Sequence, residues 1–139
     1  MSNGFKTTRR IHFEHCDPAG LIFYPRYFQL AHQAIEEWFR EGLSMSHANL
    51  VVNERIGIPT VHIEAGFHAA SRLEEILTLT LHVKKIGKSS VTLNIEAHCQ
   101  GELRCQITQV IVFTQLDTEP IASIPVPDAI RTQLVRFRI

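Results

Sequence analysis

The stretch His15-Cys16-Asp17-Pro18-Ala19-Gly20-Leu21-Ile22-Phe23-Tyr24-Pro25-Arg26-Tyr27 joins an extended segment to the most apolar helical segment of the chain. It places one carboxylate, Asp17, a few residues ahead of that helix. The free N–H groups of a helix start stabilise negative charge, so an acid delivered there is a candidate for chemistry. Asp-Pro-Ala-Gly is strong turn chemistry, because proline fixes φ and glycine adopts conformations that other residues resist. Before it, Phe5, Thr7, Arg9, Ile11 and Phe13 alternate with mostly polar neighbours and predict a strand over 5–15. After it, Tyr27, Leu30, Ala31, Ala34, Ile35, Trp38 and Phe39 recur at helical spacing, predicting a helix from Pro25 to about Gly42. Pro25 suits its first turn and Gly42 its stop.

Working outward, residues 44–55 read as a shorter helix capped by Ser44 or Ser46. Beyond Pro59 the chain reads as strands. Thr60 to Ala69 is extended, and from Ile76 to Ile86 Leu77, Leu79, Leu81 and Val83 share one face. Gly87-Lys88-Ser89 turns the chain into Val91, Leu93, Ile95 and Ala97, a hairpin. Leu103 to Leu116 is more continuously apolar and is expected to be buried on both faces. Pro127-Asp128 opens a terminal helix carrying Ile130, Leu134, Val135 and Phe137. A strand, one long apolar helix and a run of antiparallel strands make an α+β class, with the helix against one face of the sheet.

The chain has 139 residues, 45% of them hydrophobic, enough for one core, so residues 1–139 are read as a single domain. Its 14 basic and 14 acidic side chains cancel without long runs, which argues against a broad nucleic-acid or anionic-membrane footprint. No apolar run is long enough to span a bilayer and the first residues lack an apolar leader core, so the protein is expected to be soluble and cytoplasmic. Cys16, Cys99 and Cys105 contain no C-x-x-C pair, and the 8 histidines are scattered with no H-E-x-x-H. A disulfide framework and a metal site are therefore not expected.

Cys16-Asp17-Pro18-Ala19-Gly20-Leu21-Ile22-Phe23-Tyr24-Pro25-Arg26-Tyr27 closely resembles the signature of hotdog-fold acyl-CoA thioesterases of the 4-hydroxybenzoyl-CoA thioesterase type. Gly57-Ile58-Pro59, Ala65-Gly66-Phe67 and the Lys84 to Val91 hairpin fall where that family has counterparts. The resemblance implies a long central helix wrapped by a curved antiparallel sheet. It also implies homodimers with shared active sites, often assembled into homotetramers, and hydrolysis of an acyl-CoA substrate without metal or redox cofactor. It assigns the catalytic carboxylate to Asp17 and the carbonyl-polarising backbone N–H to Tyr24; Pro18 to Gly20 make the bend, and Gly20 is grouped with these two as a catalytic residue. A cation of the family that contacts the CoA nucleotide matches Lys88.

Each of these residues also has a plainer reading. Asp17 before proline is ordinarily a turn residue. Cys16 lacks an evident base and reads as a small filler beside the loop. His15 reads as a base, an orienter of Asp17, or a strand-end histidine bonded to backbone. His62 and Glu64, two apart on the second strand, are pocket candidates, although such positions usually face water. Phe23 and Tyr27 are placed near the mouth of the site, and Lys88 is otherwise a solvated hairpin end. Hydrolysis of acyl-carrier-protein thioesters and non-catalytic acyl-CoA binding remain alternatives. A dehydratase using His32 and Glu36 on the helix fits the Asp-Pro-Ala-Gly loop less well. Tyr24-Pro25 suggests an aromatic acyl group.

Overall fold

The computed structural model describes residues 3–139. Strands β1 (Phe5–Arg10), β3 (Thr60–Phe67), β4 (Ile76–Ile86), β5 (Ser90–Cys99) and β6 (Glu102–Val112) form an antiparallel sheet in the order β1-β4-β5-β6-β3. The predicted hairpin is β4–β5, with Leu79 opposite Ala97 and Leu81 opposite Ile95. Side chains alternate across a pleated strand. Leu77, Leu79, Leu81 and Val83 therefore join Val91, Leu93, Ile95 and Ala97 on one buried face. Cys105, Ile107 and Ile111 of β6 extend that face.

Helix α1 (Pro25–Glu37) lies on this surface and buries Tyr27, Leu30, Ala31, Ala34 and Ile35. It continues into a wider turn at Trp38–Gly42, closed by the Leu43 N–H bonding the Trp38 carbonyl at 3.0 Å. Trp38 and Phe39 are fully buried, with the Phe137 ring 5.7 Å from Trp38 and the Phe113 ring 6.3 Å from Phe39. Gly42 belongs there because a Cβ would stand 2.7 Å from Trp38 Cδ1 and 3.0 Å from Phe137 Cζ. The remaining strands, β2 (Ile56–Gly57), β7 (Thr114–Gln115) and β8 (Ala122–Ser123), make a small second sheet, and α2 (Asp128–Leu134) closes the chain. Among the described residues, no helix is long and apolar enough to cross a membrane.

Three expectations are corrected. The first strand ends at Arg10 rather than continuing to His15. Ile11 changes partner to Glu74 and Glu75, then His12 to His15 folds into a 3-10 turn that leaves Phe13 exposed. The predicted helix over 44–55 is a single wide turn at Ala48–Asn53, with Ser46 Oγ accepting the Asn49 N–H at 3.1 Å as the expected cap. The segment after Leu103 is not buried on both faces in this chain. In β6 Cys105, Ile107, Gln109 and Ile111 are buried, while Gln106, Thr108, Val110 and Val112 between them stay half-exposed.

One charge lies inside the end of the sheet where β6 begins. Arg104, 6% exposed, bonds both oxygens of Glu75, at 2.8 and 3.2 Å. Such a forked pair is strong because a planar guanidinium matches a carboxylate. These bonds, with help from the Arg72 backbone N–H, hold the Glu75 carboxyl at about 2, well below its ordinary 4.5. A carboxyl whose folded pKa is depressed adds stability above its unfolded pKa and loses it as pH falls through the folded one. For Glu75 that window runs from about 4.5 down to about 2. Urea unfolding at pH 5, 4 and 3 is expected to show a shallower acid loss in Glu75→Gln than in the native chain; equal slopes would refute it. Leu93→Ala, under the helix, is expected to cost about 2–5 kcal/mol in the same assay at pH 7. A loss below about 1 kcal/mol would mean that this face does not carry the core.

Candidate active site

The loop ahead of α1 is closed by its own backbone. The Asp17 N–H donates to the Leu21 carbonyl at 2.9 Å and the Gly20 N–H to the Asp17 carbonyl at 3.0 Å. Asp17 Oδ1 accepts the Ala19 N–H at 2.9 Å and the Leu21 N–H at 3.3 Å. Gly20 has φ +77°, a conformation that a Cβ would strain. The Ile22 N–H reaches the Ser71 carbonyl and the Phe23 N–H the His15 carbonyl, each at 2.9 Å, while Arg26 and Tyr27 bond back to Phe23 and Tyr24. Pro18 and Pro25 have no N–H. Between Asp17 and Tyr27, one backbone donor, the Tyr24 N–H, is left without a partner among the described residues, as is Asp17 Oδ2.

Asp17 and Tyr24 line the same cavity, of about 350 Å³, with Leu21, Ile22, Tyr27 and Phe67. The rest of its wall is the segment His68 to Ser71. The Phe67 ring stands 5.9 Å from the rings of both Tyr24 and Tyr27, in edge-on and tilted contacts. The lining is thus largely apolar and aromatic, and it includes Asp17, with its carboxylate, and Tyr24, whose N–H has no partner among the described residues. That combination suits a carbonyl-bearing ligand. Tyr27 is nearly buried; its hydroxyl lies 2.6 Å from Ser71 Oγ, and burial pushes its pKa up.

The structure brings Asp17, Gly20, Tyr24 and Tyr27 together, and Phe23 stands beside them, half-exposed, with its ring 5.5 Å from that of Tyr24. It does not bring the other substrate-pocket residues to this cavity. His62 and Glu64 pair with Val110 and Thr108, so they sit on the sheet face turned away from α1, exposed and 3.3 Å from each other. Lys88 is in the β4–β5 turn, at the opposite end of β4 from the loop, and the 11 residues of that strand span about 35 Å. Cys16 carries a thiol whose pKa is raised by burial and then by the Asp17 charge, which disfavours a nucleophilic thiolate. His15 accepts the His12 N–H on Nδ1, and burial lowers its pKa, so the backbone-bonded reading holds. Ser71 and its segment carry no sequence signal: nothing local in Ala69-Ala70-Ser71-Arg72 shows that it shares a cavity with Asp17. Phe67 does carry a signal, since Ala65-Gly66-Phe67 falls where the resembling family has a counterpart. Among the described residues no group of three His, Cys, Asp or Glu side chains is placed to hold a metal ion.

Comparison with known proteins follows the same line. The chain is 26% identical over 133 residues to 4-hydroxybenzoyl-CoA thioesterase of Pseudomonas sp. (strain CBS-3), covering 91% of this chain and 94% of that protein. The solved structure of 4-hydroxybenzoyl-CoA thioesterase from that strain superposes with a TM-score of 0.82 at 26% identity, covering 92% of this chain and 97% of the other. That of a 1,4-dihydroxy-2-naphthoyl-CoA thioesterase from Synechocystis gives a TM-score of 0.86 at 20% identity, covering 95% and 96%, a likeness of fold. The expected α+β hotdog fold is thereby borne out. The family model described as thioesterase-like superfamily matches residues 11–134, nearly the whole length, and the chain belongs to that superfamily.

Proposed function

We propose that this chain hydrolyses an acyl- or aroyl-CoA thioester to the free acid and CoA, with Asp17 as the reacting carboxylate and the Tyr24 N–H polarising the carbonyl. The observation that carries the reading is the pair of unpartnered groups, Asp17 Oδ2 and the Tyr24 N–H, on residues that line one aromatic-walled cavity. A thioester carbonyl gains negative charge as it is attacked, so a fixed backbone donor at a helix start stabilises the transition state more than the ground state. In one route Asp17 attacks the carbonyl carbon, the C–S bond breaks and CoA departs as its thiolate. Water then opens the mixed anhydride, returning Asp17 and releasing the acid. In the other route Asp17 takes a proton from an attacking water, and that proton passes to the departing sulfur. Both routes consume only water, so neither needs a metal or redox cofactor, and CoA enters as part of the substrate.

The Tyr24, Tyr27 and Phe67 rings favour an aromatic acyl group, in keeping with the aromatic acids in the names of the relatives. The active unit is read as a homodimer, paired again into a tetramer. Supporting this, β3 is an edge strand whose residues are mostly exposed, Val61 and Phe67 among them, and bare apolar edges invite pairing. A second copy is also the means by which Lys88, His62 or Glu64 would approach a bound acyl-CoA. The free thiols Cys16, Cys99 and Cys105 suit the reducing cytoplasm.

Asp17→Asn keeps the Oδ1 acceptor that closes the loop and removes the charge. CoA release from the best acyl-CoA is expected to fall at least about a hundredfold with the fold and oligomer unchanged. Full activity in that variant would end the proposal. Lys88→Ala is expected to raise KM for acyl-CoA several-fold and leave KM for the matching acyl-N-acetylcysteamine thioester, which lacks the nucleotide, unchanged. Equal effects on both substrates would remove Lys88 from the CoA site.

A further inference from the structure

We infer that Arg104 is a positioning residue for this chemistry: it fixes the segment Ala70 to Leu73, which holds the Asp17 loop on one side and helix α1 on the other. The inference rests on the reading of Asp17 and Tyr24 given above. Arg104 grips the segment from inside. Its Nη1 donates to the Ala70 carbonyl at 2.9 Å, to Ser71 Oγ at 3.2 Å and to Glu75 Oε1 at 2.8 Å, and Nη2 bonds Glu75 Oε2 at 3.2 Å. Its own carbonyl receives the His68 N–H at 2.9 Å. Glu102 Oε1 lies 2.6 Å from Nε, outside hydrogen-bond geometry, and completes the anionic surround.

The segment passes this placement on by three bonds. The Ser71 carbonyl accepts the Ile22 N–H at 2.9 Å, and the Leu73 N–H donates to the Gly20 carbonyl at 3.0 Å. Ser71 Oγ meets the Tyr27 hydroxyl at 2.6 Å, within the first turn of α1. The carboxylate sits on the loop and the Tyr24 N–H at the helix start, so their relative placement is set by a segment that touches both. Ser71 is fully buried, which leaves it no slack. Arg104 never reaches the reacting atoms; it acts through Ser71 and the backbone. Misplacing reacting groups by about 1 Å costs up to about a hundredfold in rate. A lysine keeps the charge but cannot fork onto Glu75 while bonding Ala70 and Ser71.

The test compares native chain, Asp17→Asn, Arg104→Lys and Ser71→Ala in steady-state CoA release, each normalised to the folded fraction from near-UV circular dichroism. A merely structural role lowers the folded fraction and leaves kcat per folded molecule alone. The inference expects kcat per folded Arg104→Lys to fall between tenfold and about a hundredfold with KM within about twofold. Ser71→Ala, which keeps the Arg104–Glu75 pair, is expected to fall several-fold in kcat in the same way. It carries the test if Arg104→Lys does not fold. Native kcat per folded molecule in Ser71→Ala or in a folded Arg104→Lys, or a change confined to KM, overturns the inference. If the native chain is active and Asp17→Asn is not, such a result refutes the role of Arg104 alone. If Asp17→Asn matches the native chain, or the native chain releases no CoA, the reading of Asp17 falls and this inference with it.

Discussion

The dry contact between one face of α1 and strands β4, β5 and β6 is the constraint from which the rest of the molecule follows. Leu30, Ala31, Ala34 and Ile35 on the helix meet Leu79, Leu81, Leu93, Ile95 and Ile107 within one core cluster. Burying each leucine or isoleucine side chain contributes about 1.5–3 kcal/mol, more than an exposed ion pair, at about 0–1 kcal/mol. The small Ala31 and Ala34 let the helix come close, and Trp38 and Phe39 lock its far end beneath Phe113 and Phe137. With both its rotation and its ends fixed, the helix N-terminus emerges at one end of the sheet. There β1 has just finished and the Ala70 to Leu73 segment crosses toward β4.

That exit point explains how a short loop becomes a site. A chain entering a helix has donors to satisfy, and most of those between Asp17 and Tyr27 find acceptors in the loop itself, in His15 or in Ser71. Proline removes two more from the count at Pro18 and Pro25. The Tyr24 N–H is what remains, and Asp17 has one oxygen committed to the turn and one free. Electrostatic catalysis asks for donors already aimed before the charge develops. The bonds that close the loop also leave that one donor open, the arrangement that the proposed chemistry asks for.

How far the sequence disclosed this depends on the range of the interaction. The hairpin around Gly87-Lys88, the helix from Pro25 and the Asp17 turn are written in spacings of two, three and four residues, and each is found where those spacings put it. The first strand is shorter than its alternation suggests because Ile11 keeps the period while its partner changes from β4 to Glu74 and Glu75, a switch that no local pattern encodes. His62 and Glu64 carry the right chemistry for a pocket, yet strand alternation alone gives two faces without saying which one the helix covers. Register against β6 decides it, since Ala65 opposite Ile107 goes inward and Glu64 opposite Thr108 goes outward. Ser71 and Arg104 are 33 residues apart and meet only in the fold.

A division of labour follows from these distances. The groups assigned to bond breaking come from one continuous stretch, Asp17 to Tyr24, held by one neighbouring segment, so a single chain contains them all. The cation assigned to the carrier, Lys88, stands the length of a long strand away, at the other end of the sheet. Phe67, which lines the cavity, ends the edge strand β3, so the surface beside the cavity within one chain is β3 rather than the lysine turn. On the proposed reading, Lys88 would meet the nucleotide of a bound acyl-CoA from a neighbouring copy. The proposed chemistry thus rests on a local motif, and the proposed carrier contact on a second copy.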